Sequence, residues 1–360
     1  MKIVLAGGGT AGHIEPALAV ARAWRQSHPQ DEIEFLGTKL GLETVLVTAA
    51  GFKISYISKV VIPRKISFSL FVAPTTLTRA FLESRKALNG ADLLVGFGGY
   101  VSAPAYLAAR SLNIPIVIHE ANAKPGLANR LGAIFTQYLA VAQPIYKGKL
   151  SKALITGLPL RSDVANAVRE SSNDWAAARN KAKTALGFNS ERPVIAIFFG
   201  SQGSVALNKV IASAVPSLAK TGTQVLHSLG KANQLPVATD NYKPVSYIED
   251  MATVYLAADL IIARSGAVTC SEVNALGKYA LFIPLDIGNG EQKVNARFVV
   301  EQSRGEIVEQ GKFSSEWISS NIERLLHNSR MAPSNGKDSD LEASHKIVAL
   351  MESALFKDAK

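Results

Sequence analysis

Short, continuous apolar runs recur along the whole chain, each followed by turn residues and then by a helical pattern. They fall at 2–6, 32–36, 54–57, 92–96, 115–118 and 153–156, and again at 193–199, 223–227, 245–248, 259–263 and 279–283. Runs such as Ile116-Val117-Ile118 and Leu260-Ile261-Ile262 lack the polar alternation of a strand with one wet face, so both faces must be covered. Strand and helix in alternation give parallel sheets wound through right-handed crossovers. At 360 residues the chain exceeds one ordinary core, and two domains are expected. The fold class is therefore α/β, with two Rossmann-like, doubly wound domains. Their boundary is expected near Gly157-Leu158-Pro159-Leu160-Arg161, giving domains 1–160 and 161–340. Residues 332–340 read as a flexible loop, and an amphipathic helix from about Leu341 to Phe356 follows.

Composition narrows the partners. Hydrophobic residues make up 48% and charged residues 19%, which suits a well-packed soluble protein. The single Cys270 excludes an internal disulfide and fits a reducing compartment. The chain enters a strand at once with no secretory pattern, and the uncharged run Leu93–Ala109 is short and broken by glycines and a proline. A cytoplasmic protein is expected. A net charge of +10 favours an anionic partner: a phosphorylated substrate, an anionic membrane surface or nucleic acid. No nucleic-acid motif is present to support the last. In Lys59–Val72, large apolar residues are flanked by cations. That pattern fits a buried loop and helix with solvated flanks, or a patch dipping into lipid headgroups.

The chemistry concentrates in glycine turns. Gly7-x-Gly9-x-x-Gly12 follows the first run and meets the dinucleotide fingerprint, with amides and a helix N-terminus suited to a phosphate. His13 puts a titratable side chain at the mouth of that anion site, so the turn either holds a cofactor or performs chemistry. A second turn, Gly96-Phe97-Gly98-Gly99-Tyr100-Val101-Ser102, lies nearby, and His119-Glu120-Ala121-Asn122 follows Ile116–Ile118 at a carboxyl edge. His119 and Glu120 suit a catalytic role or a structural pair tying a loop to the sheet. In the second half, Gly200-Ser201-Gln202-Gly203-Ser204 suits a diphosphate or is an ordinary tight turn. Arg264–Glu272 is more specific: Thr269 falls in the first turn of a helix, and Glu272 lies one turn down the same face. There it can accept both hydroxyls of a ribose. Glu291, Gln292 and Asn295 share a helix face suited to sugar hydroxyls, about twenty residues on.

In order along the chain, GGGTAGHIEPALAVA, GFGGYVSAP, IHEANAKPGLANR, TGLPLR, FFGSQGS, YIEDM, RSGAVTCSE and GNGEQKVNA give a specific resemblance. The chain resembles the MurG family of N-acetylglucosaminyltransferases. The resemblance implies a GT-B arrangement of two domains facing across a cleft, the last helix packing back on the first domain. It implies inverting transfer of GlcNAc from UDP-GlcNAc to the muramyl 4-hydroxyl of lipid I, giving lipid II and UDP. The family works in peptidoglycan synthesis, and so in cell shape and division, as a peripheral protein at the cytoplasmic face of the cell membrane. No cofactor and no essential bound metal are implied.

By motif, Glu272 would hold the ribose and the backbone of Ile248 the uracil. Ser201 with Thr269 would contact the diphosphate, Val268 would also belong to the donor site, Arg264 would lie beside the nucleotide and Arg161 near the phosphates. Glu291, Gln292 and Asn295 would meet the GlcNAc hydroxyls, Asn122 reaching the sugar from the other domain and Thr10, Ala11 and Gly12 also touching the donor. Gly9, Gly12, Gly98, Gly99, Tyr100 and Ser102 would face the acceptor diphosphate. His13 is the preferred base, with Glu120 as the alternative. The chain departs from the family at Ala11, Ala121, Leu158, Phe199 and Glu291, where Gly, Gln, Asn, Gly and Gln are common. Phe199 is expected to narrow its turn and shift the diphosphate. Rival readings are a GT-B transferase with another acceptor and an NAD-dependent oxidoreductase. The oxidoreductase needs an acid at the end of the second strand, where Phe35-Leu36-Gly37-Thr38 stands instead.

Overall fold

The computed structural model describes residues 1–60, 69–286, 289–333 and 335–356, with side chains of the segment 69–74 left aside. Most of the cationic-apolar stretch 59–72 lies outside the described residues, as do Ile287 and Gly288. The chain divides into two compact units, Met1–Arg161 with Asp340–Lys360, and Ser162–Ser339.

The first unit holds seven strands: β1 (Lys2–Gly7), β2 (Glu32–Gly37), β3 (Lys53–Tyr56), β4 (Leu93–Gly98), β5 (Ile116–Glu120), β6 (Tyr138–Val141) and β7 (Leu154–Ile155). They form one sheet in the order β3-β2-β1-β4-β5-β6-β7, every pair parallel. The run Ile3-Val4-Leu5-Ala6 is wholly buried because alternate side chains enter two different cores. Ile3 and Leu5 join Phe35, Val95 and Val117 beneath the helices Ala11–Ser27 and Ala343–Phe356. Val4 and Ala6 join Leu36, Leu94 and Ile118 beneath the helix Ser102–Ser111. The terminal helix supplies Ile347, Val348, Met351 and Ala354 to the first of these cores.

The second unit holds β8 (Val194–Phe198), β9 (Gln224–Ser228), β10 (Tyr242–Val245), β11 (Leu260–Ala263), β12 (Ala280–Phe282) and β13 (Gly305–Ile307). Their order is β10-β9-β8-β11-β12-β13, again all parallel. The residues Ile195, Ile197, Leu260, Ile262 and Leu281 pack against the helices Val205–Lys220 and Ser315–Met331.

Three strands differ from the sequence reading. β6 and β13 were not expected, and β10 begins three residues before the run 245–248. β10 contains Lys243 and Pro244, which disguise it; as an edge strand paired only with β9 it tolerates the missing amide. β13 is only three residues long, and its Gly305 lets it approach β12, since a Cβ there would stand 2.3 Å from the Ala280 carbonyl oxygen.

Candidate active site

In each sheet the strand order reverses direction at one point, and ligands of open α/β sheets bind at the carboxyl edge there. The first unit reverses between β1 and β4, so the turns after Gly7 and Gly98 share one edge. They interlock through glycines at positive φ: Gly9 at 96°, Gly98 at 92° and Gly99 at 84°. A Cβ on Gly99 would stand 2.1 Å from the Gly8 carbonyl oxygen, and one on Gly9 would stand 2.7 Å from the Tyr100 ring. Only glycine permits this approach.

His13 lies in the first turn of the helix Ala11–Ser27, half-buried, with Nδ1 3.1 Å from the hydroxyl of the exposed Thr10. Thr10 takes the N-cap position in extended backbone, yet its side chain serves the imidazole and makes no capping bond. For Nε2 to accept a proton, Nδ1–H must be the donor to Thr10. Ala11 and Gly12 open the helix, where dipole and amides favour an anion.

The Gly9 amide is already committed. It donates to Glu43 Oε2 at 3.3 Å, while Glu43 Oε1 accepts from the Thr38 amide at 2.9 Å, the Thr38 hydroxyl at 3.0 Å and the Tyr100 hydroxyl at 3.0 Å. Burial pushes the Glu43 carboxyl up, but bonds from the Glu43, Thr38 and Gly9 backbone and from Tyr100 outweigh it and hold the group below the ordinary range. Sequence reasoning passed over Glu43; its signal is the glycine pair at 37 and 41 that leaves room for it.

Ser102 differs from its expected role at an acceptor diphosphate. It is fully buried, and its hydroxyl donates to the carbonyl oxygens of Ala6 at 2.9 Å and Gly98 at 2.8 Å, tying β1 to β4. Glu120 likewise differs from a free base. It is buried, with Oε1 accepting from the Asn122 amide at 2.9 Å and its side-chain nitrogen at 3.1 Å. Its Oε2 accepts from the Gly126 amide and from Asn129 Nδ2, both at 3.0 Å. Burial raises its pKa against these bonds. Both oxygens therefore organise the loop that carries Asn122. Asn129, also passed over, completes the frame by accepting from the Tyr106 hydroxyl at 2.7 Å. His119 is structural: buried, pushed down to about 4 by burial, with Nε2 3.0 Å from the Gly157 carbonyl oxygen. The neutral ring donates there. Arg161 is half-buried at the end of this unit.

The second unit reverses between β8 and β11. Its glycine turn is locked as the first is: a Cβ on Gly203 would stand 1.7 Å from the Leu229 carbonyl oxygen, and one on Gly230 would stand 2.2 Å from that of Gln202. Ser201 lies half-buried in this turn. Phe199 does not narrow it. The side chain is buried in the core, edge-on to His227 with ring centroids 6.3 Å apart, while Phe198 faces Tyr255 across the sheet. Phe199 directly follows β8 and continues its alternation, joining Ile195 and Ile197 in the same core.

The helix Ala267–Ala275 starts directly after β11, with Gly266 as N-cap, Val268 and Thr269 half-buried in its first turn, and Glu272 buried at 1% exposure. A solvated helix charge is thereby ruled out for Glu272. Arg264 donates to the carbonyl oxygens of Ile283 at 2.9 Å and Pro284 at 3.2 Å and to Gln310 Oε1 at 2.7 Å. It thus fastens the segment after β12 as well as bringing charge to this edge. Gln292 accepts from the Leu285 amide at 3.0 Å; Glu291 accepts from the Asn289 amide and Asn295 is fully buried. Ile248 is buried at 9% exposure just ahead of the helix Met251–Ala257. Among the described residues no His, Cys, Asp or Glu group has the arrangement of a metal site.

The oxidoreductase reading finds no acid where it needs one. Thr38 directly follows β2 and is engaged with Glu43, and Glu34 inside the strand pairs with Lys2 at 3.0 Å.

The Glycosyltransferase family 28 N-terminal domain model matches residues 3–141 and its C-terminal domain model residues 194–351. The UDP-N-acetylglucosamine–N-acetylmuramyl-(pentapeptide) pyrophosphoryl-undecaprenol N-acetylglucosamine transferase of Streptomyces coelicolor is 42% identical over 378 residues, covering 100% of both chains. The transferase of the same name from Corynebacterium glutamicum is 43% identical over 330 residues, covering 91% of this chain and 90% of its own. Among solved structures, Acinetobacter baumannii MurG matches with a TM-score of 0.72 at 27% identity, covering 98% of this chain and 99% of that one. The UDP-GlcNAc 2-epimerase of Neisseria meningitidis, solved with UDP-GlcNAc bound, shares the fold with a TM-score of 0.63 at 16% identity over 98% of this chain and 100% of its own.

Proposed function

We propose a division of roles for a chain that belongs to glycosyltransferase family 28, and within it to the MurG transferases. Its activity is transfer of GlcNAc from UDP-GlcNAc to lipid I in peptidoglycan synthesis. The full-length likeness to transferases bearing that name carries this conclusion. The muramyl 4-hydroxyl attacks the anomeric carbon, the bond to the UDP oxygen breaks, and the configuration inverts.

Glu272 receives the ribose. Its burial one turn below the N-terminus of the helix Ala267–Ala275 supports this, because a buried carboxylate there has the acceptor capacity for a diol while the helix end faces a phosphate. Ser201 and Thr269 stabilise charge gathering on the departing diphosphate, Arg264 adds its field, and Gln292, Glu291 and Asn295 read the sugar. His13 takes the proton from the acceptor hydroxyl, oriented through Nδ1 by Thr10. Glu120 holds the Asn122 loop and leaves that role to His13. The amides of Gly12, Gly99 and Tyr100 receive the acceptor diphosphate.

The protein works on an anionic membrane surface as a peripheral protein. A net charge of +10 supports this, as does Leu82, 57% exposed among Arg79, Arg85 and Lys86 on the helix Ser69–Ala87. No helix among the described residues is long and apolar enough to cross a membrane. The deciding assay is UDP release with a lipid I analogue against a soluble sugar acceptor, with and without anionic vesicles. Turnover confined to lipid I and raised by vesicles is expected; transfer only to the soluble sugar overturns the reading.

A further inference from the structure

Glu43 is a fully buried acid outside every role assigned so far. The space it occupies is built for it. A Cβ added to Gly41 would stand 2.1 Å from Oε2, one on Gly37 would stand 2.6 Å from its Cγ, and one on Gly8 would stand 3.3 Å from Oε1. Three glycines from two different turns thus wall one carboxylate. Its partners join three segments of chain: Gly9 from the turn after β1, Thr38 from the end of β2, and Tyr100 from the turn after β4. Tyr100 also lies 3.2 Å from the Thr38 hydroxyl, and Lys59 stands over its ring at 5.1 Å.

A carboxylate beneath a glycine turn opposes an incoming diphosphate by Coulomb repulsion, a cost that the order it imposes on the turns must offset. The Gly9 amide, spent on Glu43, is turned inward and cannot serve the ligand. What Glu43 does is pin that amide and the Tyr100 ring, fixing where the remaining amides of both turns point.

We propose that Glu43 is a positioning residue for the acceptor: an internal anion that holds the turns at Gly9 and Tyr100 in the shape that receives the lipid I diphosphate. This rests on the assignment of those turns to the acceptor. A carboxamide in its place keeps the volume but sets an N–H against at least one of the four donors, so the turn reopens.

The test is steady-state kinetics of Glu43→Gln with a lipid I analogue and UDP-GlcNAc, alongside UDP binding and thermal unfolding. The KM for the lipid I analogue should rise about 10-fold or more, from the loss of a charge-assisted hydrogen bond, while UDP affinity stays within about twofold. Should Glu43→Gln fail to fold, Thr38→Val removes one donor without removing the charge. The same split should then appear at smaller size, with Thr38→Ser restoring the acceptor KM. A folded variant with unchanged acceptor KM overturns the proposal, as does equal loss of donor and acceptor binding. Wild-type protein that ignores lipid I overturns the assignment of the turns instead.

Discussion

The imidazole of His13 sits against the backbone of Gly98: a Cβ at that glycine would stand 3.2 Å from Cδ2 and 3.4 Å from Nε2. The ring is therefore located from both sides, by Thr10 on Nδ1 and by the bare Cα of the β4 turn. Gly98→Ala imposes a side chain at φ 92°, costing about 1–2 kcal/mol, and displaces the ring. Contacts of that length move the ring by a few tenths of an ångström, so turnover should fall about 3- to 10-fold, short of the roughly 100-fold of a full 1 Å misplacement, with UDP-GlcNAc binding intact. Wild-type turnover in a folded Gly98→Ala would mean the ring position is immaterial.

If His13 is the base, His13→Ala should lose about 10²–10⁴ in turnover and keep its affinity for UDP-GlcNAc. Thr10→Val should lose less, because it frees the ring's orientation and leaves its basicity. A His13→Ala enzyme with near-normal turnover at saturating lipid I would return the base role to another group.

Acid should unfold this protein through two buried histidines. His119 and His227 are both pushed down to about 4 by burial, and His227 is held between the Tyr242 hydroxyl at 2.9 Å and Asn208 Oδ1 at 3.2 Å. Between about pH 6.5 and 4 the unfolded chain takes up protons at these sites and the folded chain does not. Their contribution is complete above that window and is lost as pH falls through it, by up to about 3 kcal/mol each. Urea midpoints between pH 7 and 4.5 should fall steadily, and His227→Gln should flatten part of the slope. A midpoint indifferent to pH across this range would show that the rings are charged in the fold.

Much of the fold is legible in the sequence. Buried parallel strands announce themselves as unbroken apolar runs, and a glycine turn after a strand announces a positive-φ approach, as at Gly9 and Gly203. Legibility failed where chemistry is set by tertiary partners. Glu43 looks like a first-turn helix acid, and only the fold brings Gly9 and Tyr100 to it. Ser102 looks like a phosphate hydroxyl, and only the pairing of β1 with β4 shows that carbonyls consume it. Edge strands β10 and β13 carry lysine, proline and glycine because one side of each is unpaired, so their sequences lack the signal of the centre.

The ribose role proposed for Glu272 can be separated from base recognition. Removing a buried carboxylate that accepts two hydroxyls should cost about 1.5–3 kcal/mol per charged hydrogen bond lost, raising the KM for UDP-GlcNAc by at least about 10-fold in Glu272→Gln. A sharper readout is the inhibition ratio of UDP to 2′-deoxy-UDP. The wild type should favour UDP, and the variant should bring the ratio near unity. A ratio preserved in Glu272→Gln would move the ribose elsewhere.

Phe199 is the departure from family pattern with the clearest physical consequence. It buries its ring edge-on to His227 in the second unit's core, at 4% exposure, in the same cluster as Ile195, Ile197 and Leu207. Phe199→Ala should therefore destabilise by about 3–5 kcal/mol, through lost transfer free energy and the cavity left behind. Donor KM should stay within about twofold in the folded fraction. The opposite pattern, unchanged stability with a shifted donor KM, would place the ring in the diphosphate turn after all. Differential scanning calorimetry with and without UDP distinguishes the two, because a turn residue would alter the UDP-induced rise in Tm and a core residue would lower both traces together.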